Sequence, residues 1–110
     1  MKSINEAGGV LSRGETEVWY MRREWFSSGI CGKAPNPNDL GRTHILLGKC
    51  EGKNAEELFA SLQAENWSPN GEARCLIENL GLWHTSMSVG DVIVIDGKVL
   101  MCDVAGFKRL

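Results

Sequence analysis

The apolar positions of this chain fall into short runs with two different periods. Val18-Trp19-Tyr20-Met21 is a compact β-prone run that predicts a first strand, and Thr43-His44-Ile45-Leu46-Leu47-Gly48 predicts a second. Between them, Ser27 to Gly41 reads as a loop carrying Ser27-Ser28-Gly29, Gly32 and Pro35-Asn36-Pro37-Asn38. Its two prolines lack amide donors and push their predecessors toward extended geometry. A helical period then takes over. Asn54 stands as an N-cap with Glu57 three residues on, and Ala55, Leu58, Phe59 and Leu62 form one stripe, which predicts a helix over 55–63. Ala73, Leu76, Ile77 and Leu80 repeat the stripe and predict a second helix over 69–80. Ser68 or Asn70 caps it, Pro69 sits in its first turn, and Gly81 with Leu82 supplies a Schellman ending.

The period then changes back. Asp96-Gly97 is a type I′ turn signal between Val92–Ile95 and Lys98–Cys102, and the register through it pairs Ile95 with Lys98, Val94 with Val99 and Ile93 with Leu100. Val92–Ile95 is apolar on both faces, which predicts a central strand, and Val104 to Leu110, with Phe107, supplies a last extended piece. The order β-loop-β-α-α-β-β predicts an α+β domain: a small, mostly antiparallel sheet of about four to five strands with two helices on one face and a C-terminal β-hairpin. Residues 1–16, with Gly8-Gly9, Gly14 and no apolar period, read as a flexible N-terminal tail, leaving 17–110 as a single domain.

Composition narrows the function classes. The 110 residues hold 12 Lys+Arg and 14 Asp+Glu, a net charge of −2. Residues 1–50 carry 7 basic against 5 acidic side chains, and residues 51–110 carry 5 against 9. The acidic half disfavours general nucleic-acid binding, although Arg22, Arg23, Lys33 and Arg42, with Trp25 for stacking, form one local basic candidate. No apolar run approaches the ~20 residues of a membrane span, and Met1-Lys2-Ser3-Ile4-Asn5-Glu6 has no apolar segment behind its lysine, so a cytoplasmic protein is expected. Cys31, Cys50, Cys75 and Cys102 lie 19, 25 and 27 residues apart, and His44 and His84 are equally scattered. That spacing lacks the close ligand pairs of structural zinc sites, so no metal and no cofactor is expected. The cysteines read as free thiols, with Cys75 and Cys102 placed for burial inside regular elements.

Two polar-aromatic stretches hold the candidate chemistry: Glu65-Asn66-Trp67-Ser68-Pro69-Asn70-Gly71-Glu72-Ala73-Arg74, and Gly81-Leu82-Trp83-His84-Thr85-Ser86-Met87-Ser88-Val89-Gly90-Asp91. Asn66 to Arg74, and above all His84 to Val92, resemble the YodL-like group of small proteins found on plasmids, phages and other mobile elements. The likeness runs from about Val18 to Leu110, including Thr43-His44 and Gly106-Phe107. It implies provenance on a mobile element and one folded unit, and it names no reaction.

The residues themselves support three expectations. As an enzyme, Ser86 or Ser88 would be the nucleophile, His84 its base and Asp91 the orienter, but three residues so close in one loop seldom converge, and no Gly-x-Ser-x-Gly elbow is present. As a folding device, Ser86, Ser88, Gly90 and Asp91 would build the turn before a strand, with Trp67 and Trp83 as core and His84 hydrogen-bonded behind them. As a binding surface, Trp67, Arg74, Trp83 and His84 would cluster at the ends of the second helix, with Ser68, Asn70, Ser86 and Ser88 beside them. Ser68 and Asn70 would also flank an anion at that helix's N-terminus, which Glu72 opposes. The leading expectation is a non-enzymatic accessory protein that binds a host or element-encoded protein, as monomer or homodimer. Nucleic-acid binding through the loop cations and a small hydrolase are the alternatives.

Overall fold

One antiparallel sheet of five strands organises the residues that the computed structural model describes: 15–50, 54–63, 67–68, 70–71 and 73–110. The strands are β1 (Thr16–Met21), β2 (His44–Cys50), β3 (Val92–Ile95), β4 (Lys98–Asp103) and β5 (Gly106–Arg109), in the spatial order β2-β1-β3-β4-β5. With helices α1 (Arg23–Ile30), α2 (Ala55–Ser61) and α3 (Arg74–Asn79) and a 3-10 turn at Leu40–Arg42, this is an α+β fold. β3 lies in the middle of the sheet, as a strand apolar on both faces requires. Its neighbouring residues Val92 and Ile93 are both fully buried, one on each side.

Period-two alternation divides the core. On one side Val18, Tyr20, Leu47 and Ile93 pack with Ala55, Leu58 and Leu62 and with Ala73 and Ile77. On the other, Val92 and Met101 pack with Leu40, bordered by Trp19, Val94, Val99 and Leu110. The β3–β4 register pairs Ile95 with Lys98, Val94 with Val99 and Ile93 with Leu100 around Asp96 (φ 52°) and Gly97 (φ 75°), the positive angles of a type I′ turn. The capping chemistry is equally local. Asn54 Oδ1 accepts from the Glu57 amide at 2.8 Å. At the end of α3, the Gly81 amide donates to Glu78 O and the Leu82 amide to Ile77 O, the two bonds of a Schellman motif.

Four expectations are corrected. β1 begins at Thr16, which is buried and paired with Cys50, so the strand starts inside the segment read as tail; residues 1–14 lie outside the described residues. The loop assigned to Ser27–Gly41 begins only after α1, which has no side-chain cap and contains Ser27-Ser28-Gly29. Tertiary contact holds that helix: Gly29 packs against Met21 and Gly90, and Phe26 packs on His84. The second sequence-predicted helix is shorter than 69–80, spanning Arg74–Asn79, with residues 69 and 72 outside the description. Finally, Cys75 is exposed. It lies two residues from both Ala73 and Ile77, and two residues is about 200° around a helix, so it occupies the face opposite the buried stripe.

Candidate functional site

The segment from His84 to Asp91 connects α3 to the middle strand, and its geometry is set at Gly90. With φ +101°, Gly90 adopts a conformation open to glycine, and a Cβ there would meet the Gly29 carbonyl carbon and oxygen at 2.8 and 2.9 Å. The close approach lets the backbone be sewn on both sides. Gly90 N–H donates to Cys102 O at 2.9 Å, and Cys102 N–H donates to Asp91 O at 2.8 Å. The Gly90 carbonyl accepts from His44 Nε2 at 2.7 Å, which fixes the tautomer: Nε2 carries the proton and Nδ1 accepts from Thr43 Oγ1 at 2.7 Å. Burial, foremost, holds the His44 imidazole below its ordinary pKa, with the Gly90 and Asp91 contacts opposing the shift.

Asp91 is the hub. Its carboxylate is fully buried, and Oδ1 accepts from Met21 N–H at 2.8 Å while Oδ2 accepts from Ser88 N–H at 2.8 Å. His84 Nε2 lies 3.0 and 2.8 Å from the two oxygens. One side chain thus ties together the end of β1, the turn at Ser88 and the imidazole. A buried carboxylate persists because such donors replace its lost hydration. The His84 ring stacks on Tyr20, with centroids 4.6 Å apart and planes at 15°, and Phe26 lies 5.0 Å away. Tyr20 Oη and Trp67 Nε1 both donate to the Thr85 carbonyl, at 2.8 and 3.1 Å. Burial, with Asp91 nearby, drives the Tyr20 phenol well above its ordinary value, so it remains a neutral donor.

This arrangement brings together half of the expected catalytic set. The His84–Asp91 pair forms, but it uses Nε2, and His84 Nδ1 is buried without a hydrogen-bond partner. Neither serine hydroxyl therefore engages the imidazole, and Ser88 Oγ instead donates to the Ser86 carbonyl at 3.0 Å. The general-base geometry that a Ser-His-Asp mechanism needs is not assembled.

The expected binding surface also divides. Trp67 is fully buried and Ser68 nearly so, with Ser68 Oγ accepting from the Ala73 amide at 2.9 Å. These two are corrected from surface to interior, because the apolar indole completes the core under α2 and α3. Asn70 and Arg74 are exposed, and Trp83 is 62% exposed. Two residues of α1 flank Trp83: the guanidinium of Arg23, which the sequence offered as a loop cation, lies 4.7 Å over its ring, and Phe26, which the sequence did not single out, meets it edge-on at 6.4 Å. Their place beside Trp83 was hidden because α1 does not read as a helix. Arg22 Nε donates to Gly41 O at 3.1 Å, Lys33 Nζ lies 5.2 Å over the Trp25 ring, and Arg42 is exposed. Among the described residues no three His, Cys, Asp or Glu side chains are grouped as metal ligands, and no helix is long and apolar enough to cross a membrane. Comparisons with known protein families, curated proteins and solved structures return no match.

Proposed function

We propose that this chain is a protein-binding accessory factor, of the mobile-element kind its likeness to the YodL-like group implies, and that Trp83 and Arg23 anchor the contact. The carrying observation is the 62% exposure of Trp83 on a support of Phe26, His84 and Arg23. Trp and Arg are the types that dominate binding energy at interfaces, and a side chain already held by its neighbours loses little freedom on association. The His84–Asp91 pair acts in this reading as the rivet beneath the anchor. Arg74, the first residue of α3, and Asn70 before it are exposed as well.

The test is an affinity capture from host lysate with wild-type protein, Trp83→Ala and Arg23→Ala. A partner retained by the wild type and lost by both variants, all three melting alike, is the expected result. Identical capture by the variants overturns the proposal. Retention of nucleic acid that collapses between low and moderate salt, and depends on Arg22, Lys33 and Arg42, would favour the alternative instead.

A further inference from the structure

Between α2 and the β4–β5 hairpin lies a cleft of about 180 Å³, lined chiefly by Glu56, Phe59, Cys102, Asp103, Val104 and Phe107. It shares no residue with the Trp83 surface. Its apolar part is built by Phe59 and Phe107, which meet edge to face with centroids 6.5 Å apart, and by the buried Cys102. The thiol of Cys102 is pushed up to about 11, by burial first and by Asp91 and Asp103 next, so near neutral pH it is an uncharged wall. Among the described residues the charged part is acidic. Glu56 is exposed in the first turn of α2, and Asp103 ends β4 with Oδ1 accepting from the Val104 amide at 2.8 Å, which leaves most of its acceptor capacity unused. Among the described residues neither carboxylate is in an ion pair, and no Lys or Arg lines the cleft. Val104, in the turn beside it, is 87% exposed where a polar turn residue is usual.

We propose that this cleft receives an arginine side chain of a partner protein. At about 180 Å³ the cleft is smaller than the roughly 300–1,000 Å³ of small-molecule pockets, a size that suits a single side chain. A guanidinium is planar and weakly hydrated, stacks on aromatic rings and forks onto carboxylates, which matches a cleft lined by two phenyl rings and two acids. Val104 provides an apolar contact for the residue next to that arginine. The net acidity of residues 51–110 draws the same class of partner from a distance.

The probe is the blocked peptide acetyl-Gly-Arg-Val-amide, titrated into the full chain and followed by amide chemical shifts. Saturable shifts at Asp103, Val104 and Phe107, at least tenfold weaker for the citrulline peptide and weaker for the lysine peptide, are expected. The double variant Glu56→Gln/Asp103→Asn keeps the Val104 turn bond and is expected to bind at least tenfold more weakly with unchanged melting. Trp83→Ala is expected to bind as wild type, which separates this site from the proposed anchor. Equal binding of the citrulline or lysine peptide, non-saturating shifts spread over the acidic surface, or unchanged affinity in the folded double variant would each overturn the proposal.

Discussion

Asp91 shows how much of this fold hangs on single side chains. It is fully buried and serves two backbone amides and an imidazole at once. Asp91→Ala would strand those donors in the buried interior, and removing one partner of a buried, hydrogen-bonded ion costs about 3–5 kcal/mol. Urea denaturation should show that loss, and a change under 1 kcal/mol would refute the hub role. His44 makes the pH prediction. Its imidazole is held neutral by burial below the ordinary 6.5, so below that value the unfolded chain binds the extra proton and the folded chain resists it. The contribution of His44 is therefore fully present above pH 6.5 and is lost as pH falls toward the depressed folded value. The urea midpoint should drop between about pH 7.5 and 5.5, and His44→Gln should drop less over that interval. The two tryptophans of the candidate motif give a paired prediction. Trp67→Ala should cost about 3–5 kcal/mol, whereas Trp83→Ala should change stability by about 0.5 kcal/mol or less. Calorimetric melting of both variants checks the contrast.

Elements differ in how much of their cause is local. α2 carries its own start signal, and Asn54→Ala should lose about 1 kcal/mol by freeing the Glu57 amide, a cost measurable by thermal unfolding. The ending of α3 and the type I′ turn are also written in adjacent residues, which is why both were legible before any tertiary contact was known. α1 is the opposite case. It follows a strand directly, lacks a side-chain cap and includes serines and a glycine, so its propensity is poor. The helix exists because Gly29 permits close approach to Met21 and Gly90. Gly90→Ala would drive a Cβ into the Gly29 backbone and force a disfavoured φ, at a cost of about 3 kcal/mol. Loss of helical circular dichroism with little change in the β3–β4 amide pattern would locate that damage in α1.

Across the whole molecule, β1 and β3 meet in the sheet from nearly opposite ends of the chain, and this pairing creates the site. It places Tyr20 and Met21 against the His84–Asp91 segment, so the same contacts close the core and hold Trp83 at the surface. The Ser88 hydroxyl donates to the Ser86 carbonyl within the turn and His84 spends Nε2 on Asp91, which is why the Ser-His-Asp arrangement does not assemble.

The sequence by itself determined what depends on neighbours a few positions away: the two periods, the Asn54 cap, the Schellman ending, the Asp96-Gly97 hairpin and the central place of a doubly apolar strand. Tertiary structure alone decided which polar and aromatic side chains face water. Trp67 and Trp83 lie in two similar polar-aromatic stretches on either side of α3, yet one is buried in the core with α2 while the other stands out beside Arg23. Local propensity carries no information on that choice, because burial is set by elements that arrive from distant parts of the chain.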